Sequence, residues 1–140
     1  TMAEVYDATG GFTLTGTFAN IPLATSGIVD ANYTTSSNSI TVTKAGRYKI
    51  TYRATVEMVS GNNRSGSEYQ LYNVTTATVI PGTYSGAYHR NDVAHITTAT
   101  VVKIVDLAAG DEITVQGRQY VGSGVLRTKT NGSSLLIERL

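Results

Sequence analysis

RYKITYRATVEM, residues 47–58, is the stretch that decides the fold. Tyr48, Ile50, Tyr52, Ala54, Val56 and Met58 take every second position, and Arg47, Lys49, Thr51, Arg53, Thr55 and Glu57 fill the positions between. Successive side chains of a strand point to opposite faces, so this alternation predicts a long β-strand with one buried and one wet side. On a helix the same apolar residues would scatter around the circumference and leave no single face to bury.

The same period of two continues outward from that strand. Residues 39–44 alternate Ile40 and Val42 against Thr41 and Thr43, and Ala45-Gly46 turns the chain into the long strand. Residues 59–67, with Gly61, Asn62, Asn63 and Gly66, read as a polar loop. Strands are predicted at 68–73, at 76–80 (stopped by Pro81-Gly82), at 95–107, 112–120 and 122–129. The Tyr, Gly and Ser-rich segment 83–92 is a loop or an irregular strand. Asn131-Gly132 signals a hairpin into a closing strand at 133–140. Upstream, 4–7 and 12–18 are predicted strands and 21–32 a loop. Eight to ten short strands with regular turns specify an all-β sandwich or barrel, in one domain spanning 1–140. Thr1-Met2 reads as a remnant in front of the natural domain.

Composition narrows the function. At 140 residues and 14.9 kDa the chain is the size of one domain. The net charge is +1, only 15% of residues are charged, and there is no basic run, which argues against nucleic acid as a partner. The absence of cysteine excludes disulfides, thiolate metal sites and a cysteine nucleophile. No apolar run approaches the ~20 residues of a spanning helix, so no membrane insertion is expected. A Thr-rich, weakly charged, cysteine-free chain suits a bacterial or viral particle or an extracellular surface.

Two strands break the simple alternation. Val101, Val102, Ile104, Val105 and Leu107 are apolar on both faces around Lys103 and Asp106, and Leu135, Leu136, Ile137 and Leu140 behave alike. Such strands are covered on their second face by loops or by another subunit.

Catalytic constellations are weak. His89 and His95 flank Asn91 and Asp92 without the spacing that places two ligands on one side of an element. A Ser-His-Asp set drawn from Asp92, His95 and a serine lacks a nucleophile elbow, because Gly122-Ser123-Gly124 precedes no helix. Asp106, Asp111 and Glu112, the only carboxylates placed to act as a glycosidase-like pair, read as solvated turn residues. No enzymatic activity, cofactor or metal is expected. Nine tyrosines and no tryptophan are more informative. Tyr84, Tyr88, His89 and Arg90 lie among small polar residues in GTYSGAYHRND (82–92), and tyrosine in such surroundings offers large contact area at low entropic cost. These four are the candidate ligand-binding residues; packing at a subunit boundary is the competing reading.

Three ordered segments carry a resemblance: NSITVTKAGRYKITYRATV (38–56), TTATVVKIVDLAAGDEITVQ (97–116) and SSLLIERL (133–140). Their strand, Gly46-aromatic step and long alternating strand, then an apolar strand with Leu107, Gly110 and Asp111 before the next, resemble the tumour-necrosis-factor-like superfamily. The C1q-like globular heads are the most similar. The resemblance implies a jelly-roll sandwich of about ten antiparallel strands assembling as a homotrimer about an apolar axis. It makes Val101, Lys103, Val105, Leu136 and Leu140 the candidate interface. Independently, Gly110 permits the positive φ of a tight turn, and Asp111 can bond nearby N–H groups to fix it.

Within that superfamily the chain looks most like bacterial and phage members at the tips of trimeric tail fibres or of collagen-like spore-surface filaments. The expected function is a non-enzymatic trimeric head on a virion tail fibre or bacterial surface, binding a host or surface glycan or protein. The alternatives are a purely structural trimerisation domain that caps and registers a fibrous stalk, and a carbohydrate-active enzyme on a jelly roll.

Overall fold

The computed structural model describes residues 1–61 and 63–140; Asn62, part of the predicted polar loop, lies outside the described residues. Thirteen strands are present among them: β1 Met2–Tyr6, β2 Ala19–Asn20, β3 Thr25–Val29, β4 Tyr33–Thr35, β5 Ser39–Val42, β6 Gly46–Ser60 and β7 Ser65–Asn73. They continue with β8 Thr78–Val79, β9 Ser85–His89, β10 Ile96–Leu107, β11 Glu112–Val121, β12 Val125–Thr128 and β13 Ser134–Arg139. Two antiparallel sheets form. The first runs β10-β6-β13-β1-β3, with β12 also paired to β6; the second runs β4-β5-β11-β7-β8, with β2 on β11 and β9 on β7.

The alternation of residues 47–58 sets this arrangement. Tyr48, Ile50, Tyr52, Ala54, Val56 and Met58 are all fully buried between the sheets. Opposite them, Ile40 and Val42 of β5, Tyr69 and Leu71 of β7, and Ile113 and Val115 of β11 close the core. Each buried tyrosine hydroxyl finds an acceptor, as burial of a polar tip requires. Tyr48 donates to the Lys44 carbonyl at 2.6 Å, and its ring meets Tyr33 edge-on at 6.3 Å. The predicted Gly110 turn has φ 91°, and Asp111 Oδ2 accepts the Ala108 N–H at 2.9 Å, which fixes the step from β10 to β11.

Several expectations are corrected. Only 61–64 separate β6 from β7, so most of the predicted loop 59–67 is strand. Ser65 and Ser67 face inward and are buried, so core positions there carry hydroxyls and the apolar signal is missing. The predicted strand 12–18 contributes only an isolated bridge, Thr13 to Arg127. The predicted loop 21–32 contains β3, which is solvent-facing along most of its length and therefore shows no alternation. Segment 83–92 holds a regular five-residue strand, β9.

Candidate functional site

Two surfaces and one buried cluster bear on function. The first surface belongs to β10, an edge strand paired only with β6 among the described residues. Val101 and Val105 pack against the core, and Lys103 lies between them on the same side, its ammonium reaching toward Gly82. The outward apolar positions are Val102 and Ile104, each more than half exposed. The strand is thus apolar on both faces, but its free face is carried by residues adjacent to the predicted ones. The register extends that face across the sheet, with Val102 beside Thr51 and Thr51 beside Leu136. Leu136 is half-buried and lines a shallow recess with Glu4, Tyr6 and Arg53, and Leu140 is exposed at the end of β13.

The second surface is the outer face of the other sheet, where β9, β7 and β11 lie side by side. Tyr84 and Tyr88 point outward from either side of Gly86 and are 59% and 54% exposed. Tyr88 pairs with Gly66 and Gly86 pairs with Glu68. The ring of Tyr120, itself 54% exposed, lies over Gly66, where any Cβ would come within 2.6 Å of it. Arg118 Nε donates to Glu68 Oε2 at 2.9 Å, and the guanidinium stacks on Phe18 at 4.8 Å. Burial opposes ionisation of Glu68, but the Tyr84 hydroxyl and the Arg118 guanidinium outweigh it and hold the carboxyl below its ordinary range. Hydrogen bonding to that carboxylate in turn raises the Tyr84 hydroxyl. Beside them Gln70 donates to Gln116 and Gln116 to Asn20, at 2.9 and 3.2 Å.

Sequence reasoning found Tyr84 and Tyr88 and missed Tyr120, Glu68 and Arg118. Alternation along 112–120 already put Gln116, Arg118 and Tyr120 on one polar face, but only strand pairing brings that face to β9. Arg90 is exposed just beyond β9, with its N–H donating to His95 Nδ1 at 3.2 Å.

His89 requires correction as a ligand-binding residue, because it is fully buried. Its position on β9 turns it inward, away from Tyr88. The Tyr69 hydroxyl donates to Ser67 Oγ at 2.7 Å, and Ser67 Oγ lies 2.8 Å from His89 Nε2. Thr97 Oγ1 lies 3.2 Å from both ring nitrogens. Burial, reinforced by His95, pushes the imidazole down to about 4. Burial also pushes Tyr69 and Tyr52 up to about 12.

A serine hydrogen-bonded to a histidine is the beginning of a nucleophilic site, but Ser67 and His89 are both sealed from solvent and no carboxylate orients the ring. The carboxylates named as a possible pair have structural partners. Asp106 forms a two-bond ion pair with Arg47 directly across from it, Asp111 caps the turn, and Glu112 accepts from Ser39. No three His, Cys, Asp or Glu side chains gather to hold a metal among the described residues.

Neither a protein-family model nor a curated protein sequence matches the chain. Solved structures do. Murine APRIL, a TNF-family jelly roll, at pH 5.0 aligns with a TM-score of 0.68 at 12% identity, covering 99% of this chain and 98% of that one. The same protein at pH 8.0 and pH 8.5 gives 0.66 and 0.64 at 10% and 9% identity, with the same coverage. At such identities the likeness establishes architecture alone, and it extends over nearly the whole of both chains. The two-sheet sandwich described above is therefore a jelly roll of the tumour-necrosis-factor-like type, the fold its three sequence segments resemble.

Proposed function

We propose that the chain is the non-enzymatic globular head of a homotrimer, displayed on a phage tail fibre or a bacterial surface filament and binding a ligand on a host or neighbouring surface. The observation that carries the assembly is β10: an edge strand of twelve residues, apolar inside through Val101 and Val105 and apolar outside through Val102 and Ile104. A long apolar edge left open invites uncontrolled pairing, and natural sheets cover or charge such edges. Packing against a second and third copy removes the edge and buries Val102, Ile104 and Leu136 together. The non-enzymatic reading is supported by the sealed Ser67–His89 pair and by the structural engagement of the carboxylates.

Light scattering tests the assembly. A particle of about 45 kDa, three times the 14.9 kDa chain, that persists at micromolar concentration is expected. A monomer under those conditions overturns the proposal.

A further inference from the structure

We infer that the outer face of β9, β7 and β11 is a binding platform for a neutral saccharide, with Tyr84, Tyr88 and Tyr120 as stacking surfaces and Glu68 and Arg118 as the polar centre. The inference rests on the reading of the chain as a binding head and gives that head a ligand class and a place.

Four features of the face lead to it. Three tyrosines stand exposed on this face, Tyr84 just before β9, Tyr88 within it and Tyr120 in β11, and each ring offers an apolar surface with a polar tip. Glycine occupies two positions among them, Gly66 and Gly86, so the phenol end of Tyr120 rests against the Gly66 backbone and no side chain fills the position between Tyr84 and Tyr88. An exposed aromatic ring suits the C–H face of a pyranose. The hydrogen-bonding groups beneath are planar: the Glu68 carboxylate, the Arg118 guanidinium, and the Gln70–Gln116–Asn20 amide chain. Planar two-point groups match the paired hydroxyls of a sugar ring, and their mutual bonds fix them before a ligand arrives, which lowers the ordering cost of binding.

Charge selects the class of sugar. Glu68 and Arg118 neutralise one another, so the centre of the face carries no net charge for a sialic acid, a uronate or a nucleic acid to recognise, and the exposed Arg90 lies just beyond the end of β9. A neutral hexose or N-acetylhexosamine chain meets donors and acceptors in balance.

The test uses the intact protein on an array of neutral oligosaccharides of glucose, galactose, rhamnose and N-acetylglucosamine, with sialylated and uronate-containing chains alongside. Affinity for a neutral hit is then measured by tyrosine fluorescence and by saccharide NMR. Retention of a neutral oligosaccharide, weakened at least tenfold in Tyr84→Ala and Tyr120→Ala and largely kept in Tyr120→Phe, is the expected result. Glu68→Gln should weaken the same ligand while the mass of the trimer is retained. Binding that ignores these substitutions overturns the inference, as does retention of only anionic chains or of none. In the last case a mass near 45 kDa leaves the trimer standing and fails the saccharide alone. Dissociation of the trimer by Tyr120→Ala and Tyr120→Phe alike would assign the face to a contact between copies and would also overturn it.

Discussion

Nε2 of His89 lies 2.8 Å from Oγ of Ser67, in a cluster that solvent does not reach. Protonating the ring would make both nitrogens donors and put a charge in the core. The folded state therefore binds this proton far less readily than the unfolded chain, about 4 against an ordinary 6.5. Because the folded value is depressed, the stability it contributes is complete above pH 6.5 and is lost as pH falls through 4. The loss amounts to about 3 kcal/mol across that window. His89→Gln, which keeps a hydrogen-bonding group beside Ser67, should flatten the difference in melting temperature between pH 7 and pH 4. Parallel acid profiles for the two proteins would show that another group governs the decline.

Gly110→Val should destabilise the fold by more than about 1 kcal/mol, because a branched residue cannot adopt φ 91° without strain. Nothing lies within 4 Å of the added Cβ, so the cost comes from backbone conformation and not from a clash. Urea unfolding with an unchanged slope and a lower midpoint is the expected readout.

Neighbouring valines of β10 should respond differently. Val102→Asp charges the outward face and is expected to release monomers in sedimentation, with the strand pattern preserved by circular dichroism. Val101→Ala trims a side chain packed on the core, and should cost about 1 kcal/mol of folding stability while leaving the mass unchanged. Equal effects on assembly from both would refute the assignment of the two faces.

Gly66→Ala isolates the seat of Tyr120. The added methyl meets the far end of an exposed ring, which can swing away, so the melting temperature should stay near that of the parent protein. The Tyr120 ring resonances should shift and saccharide affinity should fall at least several-fold. Unchanged resonances would mean that the ring does not rest on Gly66 in solution.

Sequence alone determined which residues form the core of β6 and the turn at Gly110. Both are local: a period of two is written into consecutive residues, and positive φ is a property of one position. It also exposed β10 as two-faced, since five apolar residues within seven positions exceed what one face can hold. Tertiary structure alone decided which of its valines look outward, because that depends on the register of β10 against β6, with Val102 opposite Thr51. The platform was half legible. Tyr84 and Tyr88 stood out by composition, whereas Tyr120 and Glu68 lie in other strands, and only the pairing of β7 with both β9 and β11 brings all four to one face. His89 was misplaced for the same reason. One step along β9 separates it from Tyr88, and in a strand one step is the difference between solvent and core.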